Sequence, residues 1–117
     1  MDFDTAIRAH TNWKMTLSRY LRKPDGSLKA QEVSRDDVCE LGCWLHGEGR
    51  KLVHLPEYQT LKSVHRDFHR AAGDIVRRAD AGENQSEAMA LGSSSPYDKA
   101  SSGVTLALMA MRRKAAA

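Results

Sequence analysis

Four dispersed residues, His10, Cys39, His65 and His69, are the side chains of this sequence best suited to chemistry. His65 and His69 stand four apart in His65-Arg66-Asp67-Phe68-His69, a spacing that puts two imidazoles on one face of a helix. His10 falls in the middle of another apolar stripe and Cys39 beside a third. Burying three imidazoles in one core costs free energy unless their nitrogens find partners, and a metal ion partners all of them together. Three nitrogens and one thiolate make up the tetrahedral donor set that zinc prefers. A shell of four protein ligands leaves no open position, so the chemistry expected is structural or sensory and not hydrolytic.

Helices must position these residues. Apolar residues recur at three and four along most of the sequence, and no segment sustains the alternation of a strand. Phe3, Ala6, Ile7, His10, Trp13, Leu17, Tyr20 and Leu21 predict a helix over 3–21, stopped by Arg22-Lys23-Pro24-Asp25-Gly26. Residues 22–33 read as a polar connection. Ser34-Arg35-Asp36-Asp37 resembles a capping box opening a short helix through about His46, which Gly47-Glu48-Gly49 ends. A turn of structure is expected at 50–54. Pro56 suits the first turn of a helix reaching about Ala79, whose inner stripe is Tyr58, Leu61, His65, Phe68, Ala72, Ile75 and Ala79. A brief helix is expected within 84–91, and Ser95-Pro96 opens the last one, running to about Lys114. The expected fold is all-α: an antiparallel four-helix-type bundle with short extra helices and a metal between them, a single domain over 1–117.

Choosing the sulfur ligand depends on the second of these helices. At about 100° per residue, Val38, Leu41, Gly42, Trp44 and Leu45 define its inner arc, and Cys39 lies nearer to that arc than Cys43. Cys39 is also nearer the helix start, where the dipole favours a thiolate. Cys43 is then either a second redox thiol or a packing residue. A disulfide between the two is not expected, because both would sit in one helix at a spacing that strains the bridge. His46 and His54 read as solvated surface, Trp13 and Trp44 as core anchors, and Asp67 points to another face.

Composition narrows the function classes. With 18 basic and 15 acidic residues among 117, net charge is +3 and spread along the chain, so no nucleic-acid footprint is read. No apolar stretch approaches the roughly 20 residues of a bilayer span, and Met1-Asp2-Phe3-Asp4 is acidic where a secretory signal would be basic. A cytoplasmic location is expected, with no membrane insertion. There is no glycine-rich phosphate loop, nucleophile elbow or acid/base carboxylate pair, and no enzymatic activity is expected.

The segments His10-Thr11-Asn12-Trp13-Lys14, Cys39-Glu40-Leu41-Gly42-Cys43-Trp44-Leu45 and His65-Arg66-Asp67-Phe68-His69 resemble, in order and spacing, three motifs of the chemoreceptor zinc-binding (CZB) domain. The last helix, with Tyr97 and Ala100-Ser101, is similar to that family's C-terminal helix. The resemblance implies that His10, Cys39, His65 and His69 are zinc ligands, and that Cys39 is the redox-sensitive residue. It implies a sensory module of bacterial chemotaxis or cyclic-di-GMP signalling that responds to zinc or to oxidants such as hypochlorous acid. It further implies a homodimer acting through a signalling partner or a fused receptor or cyclase module. Two other readings are a structural zinc module for dimerisation or docking, and a hemerythrin-like di-iron bundle, which needs carboxylates beside its histidines.

Overall fold

The computed structural model describes residues 1–83 and 85–116, and among these every regular element is helical. Three long helices, α1 (Phe3–Arg22), α4 (Pro56–Asp80) and α6 (Pro96–Ala116), are joined through the short helices α2 (Ala30–Val33), α3 (Glu40–His46) and α5 (Glu87–Leu91) and a 3-10 turn at Glu48–Leu52. Asp2 starts α1 by accepting from the backbone N–H of Asp4 at 2.9 Å and from the Thr5 hydroxyl at 2.9 Å. Pro56 occupies the first turn of α4, where a missing N–H costs nothing. Gly82 takes φ +77° just beyond its end, a conformation only glycine adopts freely. Ser95, itself buried, caps α6 by accepting from the N–H of Asp98 at 3.0 Å.

The apolar stripes of the three long helices meet in one core. Leu17 from α1, Tyr58, Leu61, Phe68 and Val76 from α4, and Val104, Leu108 and Met111 from α6 are all fully enclosed. Contacts along the helices give their relative directions. Asp4 near the start of α1 pairs with Arg112 near the end of α6, and Phe68 of α4 packs on Tyr97 at the start of α6 with ring centroids 5.4 Å apart. Tyr20 near the end of α1 donates its hydroxyl to Asp80 at the end of α4 at 2.5 Å. α1 and α4 therefore run the same way, and α6 runs against α1.

The segment between α1 and α4 departs from expectation. Residues 22–33 are not wholly a connection, because α2 forms in them and packs across α4. Ser34 closes α2 and opens no helix; Arg35 turns instead to Asp37, with Nε 3.0 Å from its carboxylate. α3 begins at Glu40, with Cys39 as its N-cap. The reason is a close approach: a Cβ on Gly73 of α4 would stand 1.8 Å from the Ser34 hydroxyl, so α2 is seated on a notch in α4, and the chain follows through bends at residues 36–39 before α3 starts. Val38, expected on the inner arc of α3, is exposed as a result. The brief helix expected within 84–91 spans Glu87–Leu91, capped by Ser86, while Asn84 lies outside the described residues.

Candidate metal centre

His10 comes from the second turn of α1, His65 and His69 from consecutive turns of α4, and Cys39 from the cap of α3. The three histidines are buried and Cys39 is half-buried. One ligand atom from each of the four lies within 4.8 Å of all the others. The structure thus brings together all four residues singled out from the sequence. Cys43, His46 and His54 stay outside the cluster and are exposed, and Asp67 lies at the surface beside Arg66. Trp13 and Trp44 are half-buried against the core.

Backbone groups aim the rings. His10 Nδ1 lies 2.8 Å from the carbonyl of Ala6 and His69 Nδ1 lies 2.9 Å from that of Val33. A carbonyl only accepts, so both Nδ1 atoms carry the proton and both Nε2 atoms present a lone pair. His65 Nε2 is 3.0 Å from His69 Nε2, and Cys39 Sγ is 3.3 Å and 3.7 Å from these two nitrogens. Tetrahedral zinc with its usual bond lengths separates two nitrogens by about 3.3 Å and a nitrogen from a sulfur by about 3.6 Å. The two sulfur–nitrogen separations bracket the second value, and the nitrogen pair is slightly closer than the first.

A second observation tests the fit. His10 Nε2 is buried without a hydrogen-bond partner, a state that costs on the order of 1–3 kcal/mol unless something accepts its lone pair. A metal among the four residues removes that cost, so the donor set fits zinc. The helix spacing made His10 and His65 findable, but the carbonyls of Ala6 and Val33 were not anticipated. Ala6 was discoverable as the residue one turn before His10, whereas Val33 is remote in sequence and reaches His69 only because α2 packs on α4.

Electrostatics set the charge states of the site. Burial pushes all three histidines below their ordinary value of 6.5, His65 to about 3, with the neighbouring His69 and His10 adding to the shift in His65. They are therefore neutral and able to ligate near pH 7. Burial also raises the Cys39 thiol above its ordinary value, outweighing the N–H groups of Gly42 and Leu41 that lower it. Position at a helix start favours the thiolate while burial opposes it, and a bound cation would shift the balance toward the thiolate.

Two features frame Cys39. Its Sγ accepts from the N–H of Gly42 at 3.3 Å, and the hydroxyl of buried Tyr58 donates to the carbonyl of Leu45, fixing α3 to α4. A cavity of about 250 Å³, lined among others by Trp13, Leu28, Val33 and Val38, reaches Cys39 and His69.

No curated protein and no solved structure matches the chain. A family model does, over residues 10–76, more than half of the sequence and a span that includes all four clustered residues. Its description is the chemoreceptor zinc-binding domain. The order of the motifs, the three-histidine, one-cysteine cluster and this match agree, and the chain belongs to the chemoreceptor zinc-binding domain family.

Proposed function

We propose that His10, Cys39, His65 and His69 hold one zinc ion and that this site is the input of a sensory module in chemotaxis-type or cyclic-di-GMP signalling. The observation that carries the ligand assignment is the convergence of four ligand atoms within 4.8 Å. Bound zinc supplies a positive charge that keeps Cys39 as thiolate while leaving no open position for catalysis. The chain's own residues do the rest. Ala6 and Val33 hold the His10 and His69 rings, and Gly42 holds the Cys39 sulfur.

Oxidant is the stimulus this arrangement supports best. Cys39 is the most oxidisable donor of the four, and the cavity beside Trp13 and Val38 gives a small oxidant such as hypochlorous acid a path to it. Oxidised sulfur is a poorer ligand, and through this cluster Cys39 ties the start of α3 to α1 and α4. Its release changes how α3 packs, which a second copy of the chain or a fused or separate signalling partner reads. A homodimer in the cytoplasm is the assembly this reading expects. A di-iron bundle is disfavoured because the cluster contains no carboxylate.

The test is zinc release into a chromogenic chelator on addition of hypochlorous acid. Wild type is expected to release its zinc at modest oxidant excess, with loss of helix content and a lower melting temperature. No release, or release unaccompanied by any change in melting, makes the site a structural one serving dimerisation or docking.

A further inference from the structure

Cys43 is the one thiol the metal cluster leaves out, and its place in the fold is specific. It is exposed, and its Sγ lies 3.6 Å from the carbonyl of Asp37 and 3.8 Å from that of Val38, the peptide group that leads directly into Cys39. Its backbone N–H donates to the carbonyl of Cys39 at 2.8 Å, so the two residues stand one turn apart at the start of α3. Two cysteines at this spacing inside a regular helix hold their Cβ atoms about 5–6 Å apart, against the ~3.8 Å of a disulfide. Cys39 is not inside the helix. It has extended dihedrals, φ −75° and ψ 165°, and is fed by residues 35–38, which belong to no regular element. Cys39 therefore lacks the fixed Cβ geometry of a helical cysteine, and the objection that holds for two helical cysteines does not carry over to this pair.

We propose that Cys43 is the resolving thiol of Cys39, so that oxidation of the site ends in a Cys39–Cys43 disulfide. The inference rests on the oxidant-sensing reading above and adds how the oxidised state is trapped and reversed. Hypochlorous acid transfers its hydroxyl group to the Cys39 thiolate: an S–O bond forms, the O–Cl bond breaks and chloride leaves, giving a sulfenic acid. The Cys43 sulfur then attacks the Cys39 sulfur. An S–S bond forms, the S–O bond breaks, and the departing hydroxide takes the Cys43 proton as water. Two thiols are oxidised by two electrons and one hypochlorous acid is reduced to chloride. Because Cys39 Sγ is 3.3 Å from His65 Nε2 and 3.7 Å from His69 Nε2, drawing it toward Cys43 takes it out of the cluster, so bridge and metal ligation exclude each other. A disulfide is reducible by cellular thiols where a sulfinic acid is not, which makes the switch resettable.

The experiment treats the zinc-loaded full chain with a modest excess of hypochlorous acid, blocks free thiols with N-ethylmaleimide, and weighs the tryptic peptide that carries both cysteines. The expected peptide is two hydrogens lighter than the reduced one and carries no maleimide, and dithiothreitol with added zinc restores the original zinc content. In Cys43→Ser, zinc is released as in wild type but Cys39 is carried by further oxidant to the sulfinic acid, two oxygens heavier, and the same treatment does not restore zinc. Oxygenated Cys39 beside a maleimide-blocked Cys43 in wild type, or a bridge between chains on a non-reducing gel, overturns the resolving role while leaving oxidant sensing intact. Retained zinc with both thiols blocked by maleimide overturns both.

Discussion

Gly42 holds Cys39 in two ways at once: its N–H donates to the Cys39 Sγ at 3.3 Å, and its Cα is pressed against the loop that delivers Cys39. A Cβ at this position would stand 2.1 Å from the carbonyl oxygen of Asp36 and 2.8 Å from its carbon. Backbone atoms so close cannot rotate away as a side-chain tip would. Gly42→Ala is therefore expected to destabilise the fold by about 1–3 kcal/mol through overpacking. It should also weaken zinc binding by roughly ten- to a hundredfold through the displaced sulfur, the usual cost of disturbing a group that orients a ligand. Competition against a chelator of known affinity measures the second effect, and unchanged affinity would show that Gly42 does not position Cys39.

Gly103 in α6 makes the opposite case. A Cβ there would meet only the Val64 side chain, at 3.4 Å, and the residue sits in the interior of a long helix. Replacing glycine by alanine at such a position removes unfolded-state freedom at little steric cost. Gly103→Ala should raise stability by about 0.5–1 kcal/mol and leave zinc content unchanged, as read by denaturant midpoint and elemental analysis. A lower midpoint would mean that α6 packs against Val64 more tightly than a 3.4 Å contact allows for.

Much of the site was legible because it lies on helices of unbroken periodicity. α1 and α4 were bounded within about a residue of their observed ends, and the four-residue step from His65 to His69 needs only the helical repeat. The stretch from Ser34 to Cys39 departs from its expected capping box for a physical reason. Its serine and acidic residues imitate a capping box, while the true cap is a cysteine, a residue outside the usual N-cap set. What decides the matter is the notch at Gly73 that seats α2 on α4, a tertiary contact with no local signature. The Val33 carbonyl that holds His69 depends on the same contact.

Acid should unfold the metal-free protein through its histidines. Burial holds His10, His65 and His69 below 6.5, His65 at about 3, so below 6.5 the unfolded chain takes up protons that the folded chain refuses. Stability is then full above 6.5, declines as pH falls below it, and for His65 goes on declining to about 3, by up to ~1.4 kcal/mol per pH unit for each histidine involved. Denaturation midpoints of chelator-treated protein should be flat between about pH 7 and 8 and fall steadily toward about pH 5. A midpoint that is constant across that range would contradict the burial of neutral imidazoles.

The most direct measurement of the account is zinc content after dialysis against a competing chelator, for wild type and for single alanine variants whose folding is checked by circular dichroism. Wild type, Cys43→Ala and His46→Ala are expected to retain about one zinc ion per chain. His10→Ala, Cys39→Ala, His65→Ala and His69→Ala should each fall below about a tenth of that, since each removes one of four ligands. Full retention by any of these four, or loss in Cys43→Ala in place of Cys39→Ala, would contradict the assignment on which the proposed sensing depends.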